Sequence, residues 1–201
     1  MTITGNSFSV AQRYGIGANV YDVSDASGAR VAFVRQRLLA IRERLEIWRD
    51  PSKGQLICAV QARKVLELRS AYDVLDGEGE QLALLQKVFG ASLLRSTWRL
   101  SPVGDAPALV VTETSAGVAI VRRIQGFLEV IPFVGTILAL LPIPYGFTWT
   151  DEATGQVFAT YRRVLGLRDR YELDIVGDPE ERLDRRAAIA MAICLDALQS
   201  R

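Results

Sequence analysis

Ala187-Ala188-Ile189-Ala190-Met191-Ala192-Ile193-Cys194-Leu195, followed by Asp196-Ala197-Leu198, is the stretch that decides how this chain folds. A surface helix carries one apolar stripe, whereas this segment is apolar on every side and so reads as a helix enclosed by protein. It falls short of the about 20 apolar residues that a bilayer span needs. Upstream, Asp178-Pro179-Glu180-Glu181 has the chemistry of a helix start: Asp can cap, Pro suits the first turn, and Glu181 can close a capping box. The sequence therefore predicts a central helix over 178–199, buried inside the rest of the chain. Asp196, with Gln199, Ser200 and Arg201 close behind, is expected at the wet end of that helix.

The chain before it alternates like strands and is punctuated like hairpins. Phe8, Val10 and Gln12 alternate in a first strand, and Asn19–Asp25, Ala26-Ser27-Gly28 and Arg30–Arg35 form a strand, a turn and a returning strand. Tyr21-Asp22-Val23-Ser24-Asp25-x-x-Gly28 then recurs as Tyr72-Asp73-Val74-Leu75-Asp76-x-x-Gly79, and more weakly as Phe147-Thr148-Trp149-Thr150-Asp151 with Gly155. Ile47, Trp98 and Leu173 each follow the turn aspartate by 22 residues, on a return strand. An internal repeat of this kind implies three strand-rich units, the first two ending in a fourth strand at Leu56–Val60 and Ala108–Thr112. With the opening strand the count is about 12, and a sheet of that size curls until it closes. The fold class is mainly β: one domain over residues 1–201, a closed barrel around the C-terminal helix.

Residues 115–144 stand outside the repeat. Val118, Ile120, Val121, Ile124, Phe127, Leu128 and Ile131 recur at helical spacing, and from Gly126 to Pro144 the only charge is Glu129. Three prolines and a glycine argue against a straight membrane span. Two readings stay open: an amphipathic helix and loop packed across one barrel end, or an interfacial contact with a membrane or partner. In the second, Phe127, Ile131, Phe133, Ile137 and Leu141 make the contact.

Composition narrows the chemistry. A net charge of +1 over 201 residues gives no bulk attraction to nucleic acid, and none is expected as a partner. There is no histidine, which excludes imidazole catalysis and histidine metal sites. Cys58 and Cys194 lie in apolar runs without paired spacing and read as core residues. The acidic turns around Asp22, Asp25, Asp73 and Asp76 carry oxygen ligands, but acid with glycine is ordinary turn chemistry. No phosphate loop, serine elbow or paired-carboxylate cleft is visible, so no catalytic residue, metal or cofactor is expected. Arg35 and Arg37 after the first hairpin match Arg162 and Arg163 after the third, and Arg122 and Arg123 precede the apolar run. With Glu46, Asp169 and Glu172 interleaved, a salt-bridged surface is the plainer reading. Converging on one barrel end, these arginines would instead bind lipid phosphate. Met1–Asn6 lacks the basic-then-apolar pattern of a secretion signal, so the cytoplasm is the expected location.

The repeated Tyr-Asp-Val hairpins, Thr97-Trp98-Arg99-Leu100 on a return strand and the final Ala/Ile-rich helix together resemble the LURP-one-related family, grouped with phospholipid scramblases and the Tubby C-terminal domain. The resemblance implies a closed barrel of 12 strands around a buried helix and covers all but the 115–144 insert. It also implies a non-catalytic module that binds membrane phospholipid or phosphoinositide, peripheral at the inner membrane face. The alternative is a soluble scaffold that docks a protein partner through the insert. No phosphoinositide-binding motif can be matched residue by residue.

Overall fold

The computed structural model describes residues 2–15, 18–37, 44–63, 71–88, 96–114, 146–164 and 169–199. Its strands are β1 (Ser7–Gly15), β2 (Ala18–Asp25), β3 (Arg30–Arg37), β4 (Arg44–Trp48), β5 (Leu56–Ala62), β6 (Ala71–Asp76), β7 (Gln81–Lys87), β8 (Thr97–Pro102), β9 (Leu109–Glu113), β10 (Gly146–Asp151), β11 (Val157–Val164) and β12 (Arg170–Ile175). Each pairs antiparallel with its neighbours in the chain, and β1 also pairs with β12, which closes the barrel. Closure leaves none of these strands with an unpaired edge.

The repeat seen in the sequence is a repeat of turn chemistry. Asp25 Oδ1 accepts the backbone N–H of Ser27 and Ala29 at 2.9 and 3.1 Å, and Asp76 Oδ1 accepts those of Glu78 and Glu80, both at 2.9 Å. Asp151 Oδ1 accepts Ala153 and Thr154 at 2.7 and 3.1 Å. Gly28, Gly79 and Gly155 close these turns at φ values of 85°, 94° and 71°, a region glycine enters without cost. A register shift just before each aspartate, at Val23/Ser24, Val74/Leu75 and Trp149/Thr150, marks the same irregularity three times. Ahead of it, the Tyr-Asp-Val triplet points in, out and in. Tyr21 and Val23 are fully buried, while Asp22 pairs outside with Arg13 and with Arg30, the latter at 2.8 Å.

The third unit has no fourth strand of its own, and β1 stands in its place. Ile47 of β4 opposes Cys58 of β5, which opposes Asp76 of the next hairpin. In the same register Leu173 of β12 opposes Phe8 of β1, which opposes Asp25. The barrel is thus three four-stranded units, one of them completed from the other end of the chain.

One helix, α1 (Arg185–Gln199), fills the bore. Every residue from Ala187 to Leu195 is at most 2% exposed. Five of those nine are alanine or cysteine-sized, and so slim a helix leaves space for Phe8, Tyr21, Trp98, Phe147, Trp149 and Tyr161 to project inward from the wall. Burying a large apolar side chain contributes roughly 1.5–3 kcal/mol, so this interface is the main source of stability.

The helix starts seven residues later than its sequence suggests. Asp184, not Asp178, is the cap: its Oδ1 accepts Arg186 N–H at 2.8 Å and its carbonyl accepts those of Ala187 and Ala188. Asp178 is fully buried and bonds instead to the N–H groups of Arg182 and Leu183, each at 2.9 Å, and to Arg185 Nη1 at 2.7 Å. Local capping chemistry is the same at both aspartates. The buried guanidinium of Arg185 decides between them, because it needs a counter-charge beside it.

Candidate binding end of the barrel

Strand directions sort the barrel into two ends. The Asp25, Asp76 and Asp151 turns lie at one, together with the start of α1, where Arg186 reaches Asp76 at 4.0 Å. At the other end β3, β7 and β11 finish, β9 stops and β10 begins. Thr114 N–H donates to the Gly146 carbonyl there at 2.9 Å, closing the base from which residues 115–145 depart. Gly146 itself is required by close packing, since a Cβ would come within 2.9 Å of the Tyr161 carbonyl oxygen. The apolar insert is therefore rooted at the end where the basic strands terminate. Arg122, Arg123, Phe127, Ile131, Phe133, Ile137 and Leu141 themselves lie outside the described residues.

The arginines named from sequence differ in their surroundings. Arg162 on β11 lies 3.1 Å from Glu172 and 3.7 Å from Asp174 on β12, and Arg163 pairs with Asp169. Arg35, outward on β3 between buried Val34 and Gln36, is exposed and has no ion pair among the described residues. Arg37 ends β3 opposite Ala18, its side chain outside the described residues. β2, β1 and β12 separate β3 from β11, so the two basic sets share an end but not a continuous stretch of wall. The interleaved acids do what the plainer reading required, taking up two of the arginines.

A polar layer lies inside the barrel at this same end. Gln12, Asn19, Gln36 and Glu113 from the wall and Asp196 from α1 are each at most 9% exposed. Among the described residues Gln36 makes no hydrogen bond through either amide atom, and the indole N–H groups of Trp98 and Trp149 are likewise without a partner. This layer was legible in part: Gln12, Gln36 and Glu113 each sit two residues beyond an inward valine, at Val10, Val34 and Val111. Asp196 contradicts its expected wet position. It is 7% exposed and accepts the hydroxyls of Tyr21 and Tyr171, both at 2.8 Å. Burial pushes its carboxyl above the ordinary value of 3.8, against the lowering effect of the Tyr171 and Tyr21 hydrogen bonds. The wall encloses the helix at least as far as Asp196 and Ala197, which is why this carboxyl is dry.

Barrel, enclosed helix and repeated hairpins are now joined by a direct comparison: a family model described as LURP-one-related matches residues 30–196. The chain belongs to the LURP-one-related family. No curated protein matches it. The match runs from the start of β3 to Asp196, so it takes in Arg35, both ends of the insert and the buried carboxyl. β1 and β2 precede it, although they close this LURP-one-related barrel. Neither cysteine offers a nucleophile: burial pushes the Cys194 thiol up to about 12 and raises Cys58 further.

Proposed function

We propose that this barrel is a non-catalytic module that binds anionic phospholipid, phosphoinositides included, through the end where the insert is rooted. The observation that supports this most is topological. The base of the apolar 115–144 stretch, at Thr114 and Gly146, shares an end with the termini of β3 and β11. An apolar segment flanked by arginines is the pairing that a bilayer surface rewards, apolar side chains entering the interface while guanidinium groups meet phosphate. Each such charge contributes about 1 kcal/mol near an anionic surface. Because α1 occupies the bore, the reading puts the contact on the outside of the barrel. Arg35 is the strongest described contributor, since Arg162 and Arg163 are already engaged by acids.

Co-sedimentation of the full chain with neutral and with anionic vesicles tests this reading. Binding is expected with anionic vesicles alone and should weaken with salt. Arg35→Glu should cut it several-fold, and Arg162→Glu should do less. Phe133→Ser and Leu141→Ser should abolish it with little change in melting temperature. Absence of wild-type binding to anionic vesicles, with both serine variants melting well below wild type, sinks the membrane reading and leaves a structural insert.

A further inference from the structure

β1 is the one strand imported from the opposite end of the chain, and α1 reaches across it. Tyr21 belongs to β2 and Tyr171 to β12, the two strands that β1 pairs with, and their hydroxyls donate to the two oxygens of Asp196. Gln12 of β1 completes the arrangement, its Nε2 donating to the Tyr21 hydroxyl at 3.4 Å. A single carboxyl therefore holds both flanks of the strand that closes the barrel. Among the described residues its hydrogen-bond partners are phenols rather than a counter-charge. From β11, Tyr161 stacks on Tyr171 with ring centroids 5.2 Å apart. The charges acting on Asp196 are Arg163 of β11 and Asp169 just ahead of β12, and these two are paired with each other. On its own helix the described neighbours Ala192, Ile193, Leu195 and Ala197 are apolar, and Cys194 is a neutral thiol.

We propose that Asp196 is a proton-operated latch on the closing seam of the barrel, holding α1 to β2 and β12 more tightly when its carboxyl takes up a proton from solvent. Ionised, the carboxylate accepts two phenols but bears the cost of burial with no cation in contact among the described residues. Protonated, it loses that cost, and its new O–H donates to one tyrosine hydroxyl while the second oxygen still accepts the other. Burial raises its pKa, so the folded chain holds this proton more tightly than the unfolded chain does. The contribution to stability is then greatest below the ordinary carboxylate value and is lost as pH rises through the folded one.

The test is a carboxyl-carbon NMR titration of the full chain, paired with native-state amide exchange of β1, β2 and β12 referenced to β6 and β7. The Asp196 midpoint should lie above 3.8. Referenced seam protection should fall as pH climbs through that midpoint, and in Asp196→Asn it should not depend on pH. Tyr171→Phe removes a donor to the charged form and should move the midpoint further up, a shift that a purely space-filling role for Tyr171 does not produce. Should Asp196→Asn fail to fold, the wild-type titration and the Tyr171→Phe shift carry the test together. A midpoint at or below the ordinary value overturns the latch, as does a seam pH profile shared by wild type and Asp196→Asn.

Discussion

The two ends of α1 bury charge in opposite ways. At its start Arg185, 2% exposed, faces Asp178, which is fully buried, and the pair is surrounded by acceptors: the Gly5 carbonyl at 2.7 Å, the Leu183 carbonyl at 2.8 Å and the Asn6 side chain. At its finish Asp196 has two phenols and no cation in hydrogen-bond contact among the described residues. Burial alone would raise the Asp178 carboxyl, but Arg185 and the backbone N–H groups of Leu183 and Arg182 outweigh it and hold it below its ordinary value. Burial wins at Asp196, whose carboxyl is raised. Both ends of the helix are fastened around the chain's first strand: Arg185 clamps the residues just ahead of β1, and Asp196 clamps the strands on either side of it. The difference teaches that a barrel closed by an imported strand can be fastened by a permanent ion pair at one end and by a titrating group at the other.

The comparison breaks hardest where neither solution exists. Ile193 lies mid-helix with no exposure and no polar partner, so Ile193→Asp should cost more than about 4 kcal/mol and leave little folded protein, read by chemical denaturation. A variant melting near wild type would show that α1 is not the core.

Next in size is the ion pair. Arg185→Ala leaves Asp178 buried and uncompensated, and about 3–5 kcal/mol of stability should go with it. Replacing both partners, Arg185→Met with Asp178→Leu, should recover a large part of that loss, because no charge is then stranded. If the double variant is no better than the single one, the pair matters for the bonds it makes to Gly5 and Asn6 rather than for its charge balance.

The smallest effect is the one that separates the ends by sign. The stability that Asp178 contributes is complete above its ordinary value of 3.8 and is lost as pH falls through its lowered folded value. Acid therefore loosens the start of the helix while it tightens the finish. Amide exchange of Ile3–Asn6 and of the first turn of α1 should accelerate below about pH 4, relative to the intrinsic rates, while that of Tyr171 and its neighbours should not. Parallel acceleration at both ends would show that acid acts on the barrel as a whole.

Much of this fold could be read before any coordinates because it rests on short-range chemistry. Asp-x-x-Gly specifies its own turn: the carboxylate bonds N–H groups two to four residues ahead and the glycine supplies positive φ, whatever surrounds them. The spacing to Ile47, Trp98 and Leu173 records strand length, again a local quantity. The all-round apolarity of Ala187–Leu195 states burial directly, since no amphipathic alternative fits it. Reading failed for one reason at Asp178, at Asp196 and at Glu181, whose Oε1 accepts the Gly5 N–H at 2.9 Å instead of closing a capping box. An aspartate followed by proline and glutamate looks like a helix cap at any address, and an aspartate with Gln199, Ser200 and Arg201 close behind it looks wet. Only the folded chain could say otherwise: it buries Asp178 against the guanidinium of Arg185, seven residues on, and brings the phenols of Tyr21 and Tyr171 to Asp196 from strands 175 and 25 residues away.

Sequence alone therefore determined the number and kind of units, the turns between them and the need for an enclosed helix, since each follows from groups within a few residues of one another. Tertiary structure decided what long-range pairing decides: that β1 completes the third unit, that Arg162 and Arg163 answer to the acids on β12 and beside it, and that the insert and the basic strand termini share an end. It also decided that the two carboxyls of the helix region are dry. A buried charge takes its character from whichever partner packs against it, and for Asp196 those partners come from strands 25 and 175 residues away.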